Sequence, residues 1–237
     1  LSWFDTFDVK DPTGRTSGVN AFRLKLFPSN NVSVWSWLIQ NELDTLSLGG
    51  RTELSSTIGE FGFTLHLDPS SSNQFIGQTQ TFIKDSHSRI AIDYRYDGFI
   101  GFWNESVLIR SEKSEILLSS IGADYTLPVA NGILVMTETM NISNKYQTQN
   151  INQSYTAIMA SFPIGIIHAA MYISQFDWSE EKNYHYFRWS STFDSYSLNM
   201  ILSLNPKRNT YNIPENSLPK SLSGFGAGIQ FIFIYNY

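Results

Sequence analysis

Ten charged residues stand out by their placement: Arg23, Lys25, Arg51, Glu53, Arg89, Asp93, Arg95, Glu105, Asp124 and Glu138. They lie in stretches where polar and apolar residues alternate, so in an extended chain they point to the polar side, although parity around Glu105 is ambiguous because Phe102 and Trp103 are both bulky. Arg23 and Lys25 alternate with Phe22, Leu24 and Leu26, and Arg89, Asp93 and Arg95 alternate with Ile90, Ile92, Tyr94 and Tyr96. The basic residues gather early in the chain, and Glu105, Asp124 and Glu138 follow. Facing one water-filled space, basic and acidic sides would set up a transverse field that orients polar solutes and excludes apolar ones. Glu53 and Asp93 interrupt the basic group. Pairing between neighbouring strands, Arg51 with Asp93 for instance, is the competing use of the same charges.

Nucleophilic and metal chemistry have less to draw on. The chain has no cysteine, which excludes disulfides and thiolate metal sites. Its four histidines, His66, His87, His168 and His185, show no metal-ligand spacing. A lipid hydrolase needs Ser, His and an orienting Asn on one face; His87 stands between Ser86 and Ser88 without a wider motif. A rim protease wants an Asp two residues before its His, and His185 lacks one. The expectation is no enzyme, no cofactor and no metal, with an outer-membrane hydrolase as the last-ranked alternative.

The elements that position the charges repeat. Two-residue alternation recurs in thirteen segments, at about 18–27, 32–41, 47–58, 61–68, 88–97, 99–110, 115–127, 132–142, 154–162, 165–176, 185–193, 196–205 and 225–237. Their length of about ten residues is what a tilted membrane strand needs. Trp35, Trp37 and Ile39 share a face of the second. Phe61, Phe63, Leu65 and Leu67 oppose Thr64, His66 and Asp68 in the fourth. Leu198, Met200, Leu202 and Leu204 oppose Asn199, Ser203 and Asn205 in the twelfth. Tight joins are expected at Pro28–Asn31, Gly59-Glu60, Asp97-Gly98, Pro128–Asn131, Pro163-Ile164 and Asp194-Ser195, from their turn chemistry. Between these lie longer polar joins, of which Pro69–His87, Ser143–Gln153 and Pro206–Gly224 are the longest. Ser2–Phe7 is a candidate fourteenth strand, followed by a loop from Asp8 to Ser17.

Composition agrees with this pattern. Charged residues make up 16% of the 237, below the roughly 25% of a typical soluble domain, while aromatics reach 15%. No run of about 18 apolar residues exists to make a membrane helix, but alternating strands hide a lipid-facing side from any such count. A net charge of −5 argues against a nucleic-acid partner. A soluble sandwich with one polar face remains the alternative. Leu1 opens the chain without Met or a leader, which fits a processed chain or a piece of a longer one.

With these features the chain resembles the porin-like β-barrels of bacterial outer membranes. The likeness rests on C-terminal Phe233, Tyr235 and Tyr237. It rests also on the hairpin from Gly122-Ala123-Asp124-Tyr125-Thr126-Leu127-Pro128 through Asn131-Gly132-Ile133, and on Gly18–Pro28 running into a short turn. The Gly18–Pro28 segment is similar to the middle of larger porin-like proteins, so a C-terminal part of such a protein stays open. The resemblance implies one all-β, antiparallel up-and-down transmembrane barrel over residues 1–237, of about 12–14 strands, with short periplasmic turns and long extracellular loops. It implies partners too: outer-membrane lipid and lipopolysaccharide, the barrel-insertion machinery reading Phe233, Tyr235 and Tyr237, and small solutes. The expected activity is passive diffusion of small polar or charged solutes. A plugged barrel acting through its loops is the alternative.

Overall fold

The computed structural model describes residues 20–40, 45–69, 72–76, 79–83, 86–146, 149–206 and 226–235. Among these residues the alternating segments form fifteen β-strands and no helix. They are β1 (Ala21–Ser29), β2 (Val32–Gln40), β3 (Leu46–Ser56), β4 (Gly59–Asp68), β5 (Ser72–Ile76), β6 (Thr79–Ile83), β7 (His87–Asp97) and β8 (Gly101–Ser111). Then follow β9 (Ser114–Leu127), β10 (Ile133–Tyr146), β11 (Gln149–Ile164), β12 (His168–Asp177), β13 (Lys182–Thr192), β14 (Tyr196–Leu204) and β15 (Ala227–Tyr235). Thirteen make one up-and-down antiparallel sheet, in the order β1-β2-β3-β4-β7-β8-β9-β10-β11-β12-β13-β14-β15; β5 and β6 pair separately. Each of the thirteen alternating segments overlaps one strand of the large sheet. No described helix is long and apolar enough to cross a membrane.

The chain divides into two compact units, Leu1–Ala123 with Thr139–Ser154, and Asp124–Glu138 with Tyr155–Tyr237. In the first unit, register sorts the side chains into two faces. Arg23 lies beside Trp37 and Lys25 beside Trp35; Trp35 lies beside Arg51 and Ser33 beside Glu53. Arg51 adjoins Thr64, and Gly49 adjoins His66. His66 then adjoins Arg89, and Gly62 adjoins Asp93, which adjoins Glu105. The other face carries Phe22, Leu24, Leu26, Leu38, Leu48, Phe61, Phe63, Leu65, Leu67 and Ile92, all exposed. The buried residues, among them Ile39, Ala91, Val107 and Ile109, lie on the charged face.

The second unit sorts the same way within itself. Tyr186, Ile201, Asn199 and Ser203 are buried on one face of β13 and β14. Leu198, Leu204, Ile229, Phe231, Phe233 and Tyr235 are exposed on the other face of β14 and β15.

Several joins depart from expectation. Pro163 does not turn; it pairs with Ala169 inside the β11–β12 hairpin, since a proline is tolerated where the ladder takes no N–H from it. The chain turns at residues 165–167 instead, where Gly165 supplies the left-handed φ of +66°. Gly59-Glu60 likewise opens β4, and the turn is Thr57-Ile58. Residues 143–153 are not a long loop, because β10 runs to Tyr146 and β11 starts at Gln149. Pro69–His87 contains the β5–β6 hairpin. Pro28 lies inside β1, in the stretch between Leu26 and Ser29 where the β1–β2 register shifts, and the turn itself is Asn30-Asn31. The candidate strand Ser2–Phe7, the loop from Asp8 to Ser17, Tyr237 and nearly all of Pro206–Gly224 lie outside the described residues.

Candidate functional site

Strand parity brings eight of the ten singled-out charges onto one face of the first unit: Arg23, Lys25, Arg51, Glu53, Arg89, Asp93, Arg95 and Glu105. Arg51 is the centre. Its Nη1 and Nη2 donate to Asp93 Oδ2 and Oδ1 at 2.6 and 2.7 Å, a fork-to-carboxylate pair. Its Nε donates to Glu53 Oε1 at 2.8 Å, and Nη1 also reaches Thr64 Oγ1 at 3.0 Å. Arg51 on β3 and Asp93 on β7 meet across β4 because Gly62 stands between them. A Cβ at Gly62 would run into the Arg51 guanidinium and the Asp93 carboxylate.

The chain of bonds continues to β2. Ser33 Oγ donates to Glu53 Oε2 at 2.8 Å, and Trp35 Nε1 donates to Ser33 Oγ at 3.1 Å. The Trp35 ring is thereby held in place, and two cations from β1 converge on it. Lys25 Nζ lies 4.0 Å and Arg23 Cζ 5.0 Å from its centroid. Such cation–π contacts contribute about 0.5–1 kcal/mol each at exposed positions. Trp35, Trp37 and Ile39, grouped by type with apolar rows, thus lie among the charges. An indole N–H seeks an acceptor when it leaves water, and both rings find one on this face: Trp37 Nε1 donates to His66 Nδ1 at 3.1 Å.

Toward the other end of β4 and β7 is a buried polar group. His66 is 1% exposed, Arg89 and His87 4%, and Asp68 8%. Arg89 Nη2 lies 3.0 Å from His87 Nε2. A guanidinium only donates, so His87 accepts there and carries its own proton on Nδ1. By the same reasoning His66 Nδ1 is an acceptor. Parity alone marked His66 and Asp68 as polar-face residues, but not their burial or their neighbours.

The remaining charges are less engaged. Arg95 pairs with Asp97 at 3.0 Å, both well exposed, a pair contributing about 0–1 kcal/mol. Glu105 lies directly across from Asp93. Asp124 on β9 and Glu138 on β10 are half-buried members of the second unit. The basic group is therefore interleaved with carboxylates: Glu53, Glu60, Asp68, Asp93 and Asp97 all share the parity of Arg51, Arg89 and Arg95.

The other two histidines lie in the second unit, on its apolar face. His168 Nδ1 is 2.8 Å from Ser191 Oγ, to which Trp189 Nε1 donates at 3.2 Å. His185 Nδ1 is 2.9 Å from the Tyr172 hydroxyl. No acidic side chain orients His168 among the described residues. Among those residues no group of three or more His, Asp or Glu is placed to hold a metal ion. No family model, curated protein or solved structure matches this chain.

Proposed function

We propose that this chain forms a transmembrane β-barrel of the bacterial outer membrane, with the charged face turned to the lumen and the apolar face to lipid. It would serve as a channel for passive diffusion of small polar or charged solutes. One observation carries the reading: burial is inverted. Phe22 and Phe231 are 69% and 75% exposed, while His66 and Arg89 are 1% and 4% exposed. In water, exposed apolar rows on strand after strand would exceed the few hundred Å² that soluble monomers show. Facing lipid, the same rows are in their proper solvent. A soluble sandwich would pack those rows together instead of leaving them outside. On this reading the lipid and lipopolysaccharide of the outer membrane surround the apolar face. Phe233 and Tyr235 lie on β15, the strand that the insertion machinery would engage.

A second reading is a plugged barrel, favoured by the bonds that join Trp35 and Ser33 on β2 to Glu53 and Arg51 on β3 and, over β4, to Asp93 on β7. Planar-bilayer recording separates the two. Purified, folded protein is expected to give discrete conductance steps whose reversal potential shifts when Arg23 and Lys25 become Ser. Insertion without current would sink the channel and leave the plugged barrel.

A further inference from the structure

We propose that Arg23, Lys25 and Trp35 form a binding site for an oxyanion, a carboxylate or phosphate group of a solute. Of the five arginines and lysines described on this face, Arg51 is held by Asp93 and Glu53, Arg95 by Asp97, and Arg89 donates to His87. Arg23 and Lys25 differ. Their contacts are with aromatic rings, Trp35 for both and Phe27 for Lys25, and among the described residues neither makes an ion pair. Two like charges on one indole gain from the ring but repel each other, and an anion relieves that repulsion. Glu53, the carboxylate tied to this platform, acts on Lys25 through space but makes no ion pair with it, and its Oε1 and Oε2 are bonded to Arg51 and Ser33.

The geometry favours an oxyanion over a halide. A guanidinium fork matches two oxygens at once, and the neighbouring ammonium supplies further donors as a point charge. The platform is prepared in advance. Trp35 is fixed through Ser33, Glu53 and Arg51 as far as Asp93, so only the two cationic side chains need to adjust. The ligand would lie on the far side of the cations from the ring, where both side chains are exposed. The site's role in permeation rests on the channel reading; binding itself does not.

The test is tryptophan fluorescence of the folded, detergent-solubilised protein, titrated with sodium phosphate, sodium acetate and sodium chloride at matched ionic strength. A saturable response to phosphate or acetate beyond that to chloride is expected, and the tighter of the two identifies the preferred oxyanion. In Arg23→Gln/Lys25→Gln the apparent Kd should rise about tenfold or more, with an unchanged far-UV circular dichroism spectrum. Arg23→Lys/Lys25→Arg should keep most of the binding. Equal affinity in the Gln double variant, or a chloride response matching the others, would overturn the site. Current without oxyanion binding removes the site and leaves the channel. Binding without current keeps the site and removes the channel.

Discussion

The guanidinium of Arg51 bonds two carboxylates and a hydroxyl, and Asp93 gives both its oxygens to it. Each is only about a fifth exposed, so removing either leaves the other partly buried without its counter-charge. Arg51→Ala, Asp93→Ala and the double variant, compared by chemical denaturation, should show a coupling of about 1–3 kcal/mol. Additivity within about 0.5 kcal/mol would mean that water already screens the pair. That these charges share a face was legible in the sequence, because strand parity needs no partner. Which charge meets which was not, since Arg51 and Asp93 are 42 residues apart and meet only once β3, β4 and β7 are in register. Trp35 and Trp37 were hidden for a different reason. Their size groups them with apolar residues, while their N–H groups and the room left by Gly49 beside Trp37 place them with the charges.

At the scale of elements, alternation located every strand of the large sheet, and the errors fall where turn chemistry and periodicity disagree. Pro163 reads as a turn residue, yet Gly165 holds the backbone angle that the turn requires. Gly165→Val should therefore cost about 1–2 kcal/mol, measured by urea unfolding, and Gly165→Asn clearly less; equal losses would show that the turn tolerates any residue. The early part of β11 and the end of β10 escaped notice because Asn, Gln and Ser fill them without an apolar rhythm. The β5–β6 pair, Ser72–Ile76 with Thr79–Ile83, is too short for alternation to announce it.

For the molecule as a whole, the inverted burial predicts opposite outcomes at adjacent positions. On β15, Phe231 belongs to the exposed apolar face and Gln230 to the other. Phe231→Arg should lower stability in lipid by about 2–4 kcal/mol, as a cation at the bilayer midplane does. Gln230→Arg should change it little. Similar losses at both positions, read by reversible unfolding in vesicles, would contradict the lipid-facing assignment. The strand order has a consequence of another kind, for the route by which the chain folds. Every sheet neighbour except β4 and β7 is also next in sequence, so most of the sheet can assemble hairpin by hairpin with little loop entropy to overcome. The β4–β7 junction has to close over β5 and β6, and it is the junction that Arg51 and Asp93 fasten. The fork between them thus forms only after that loop has closed, as a latch on the one non-sequential junction among the described sheet neighbours.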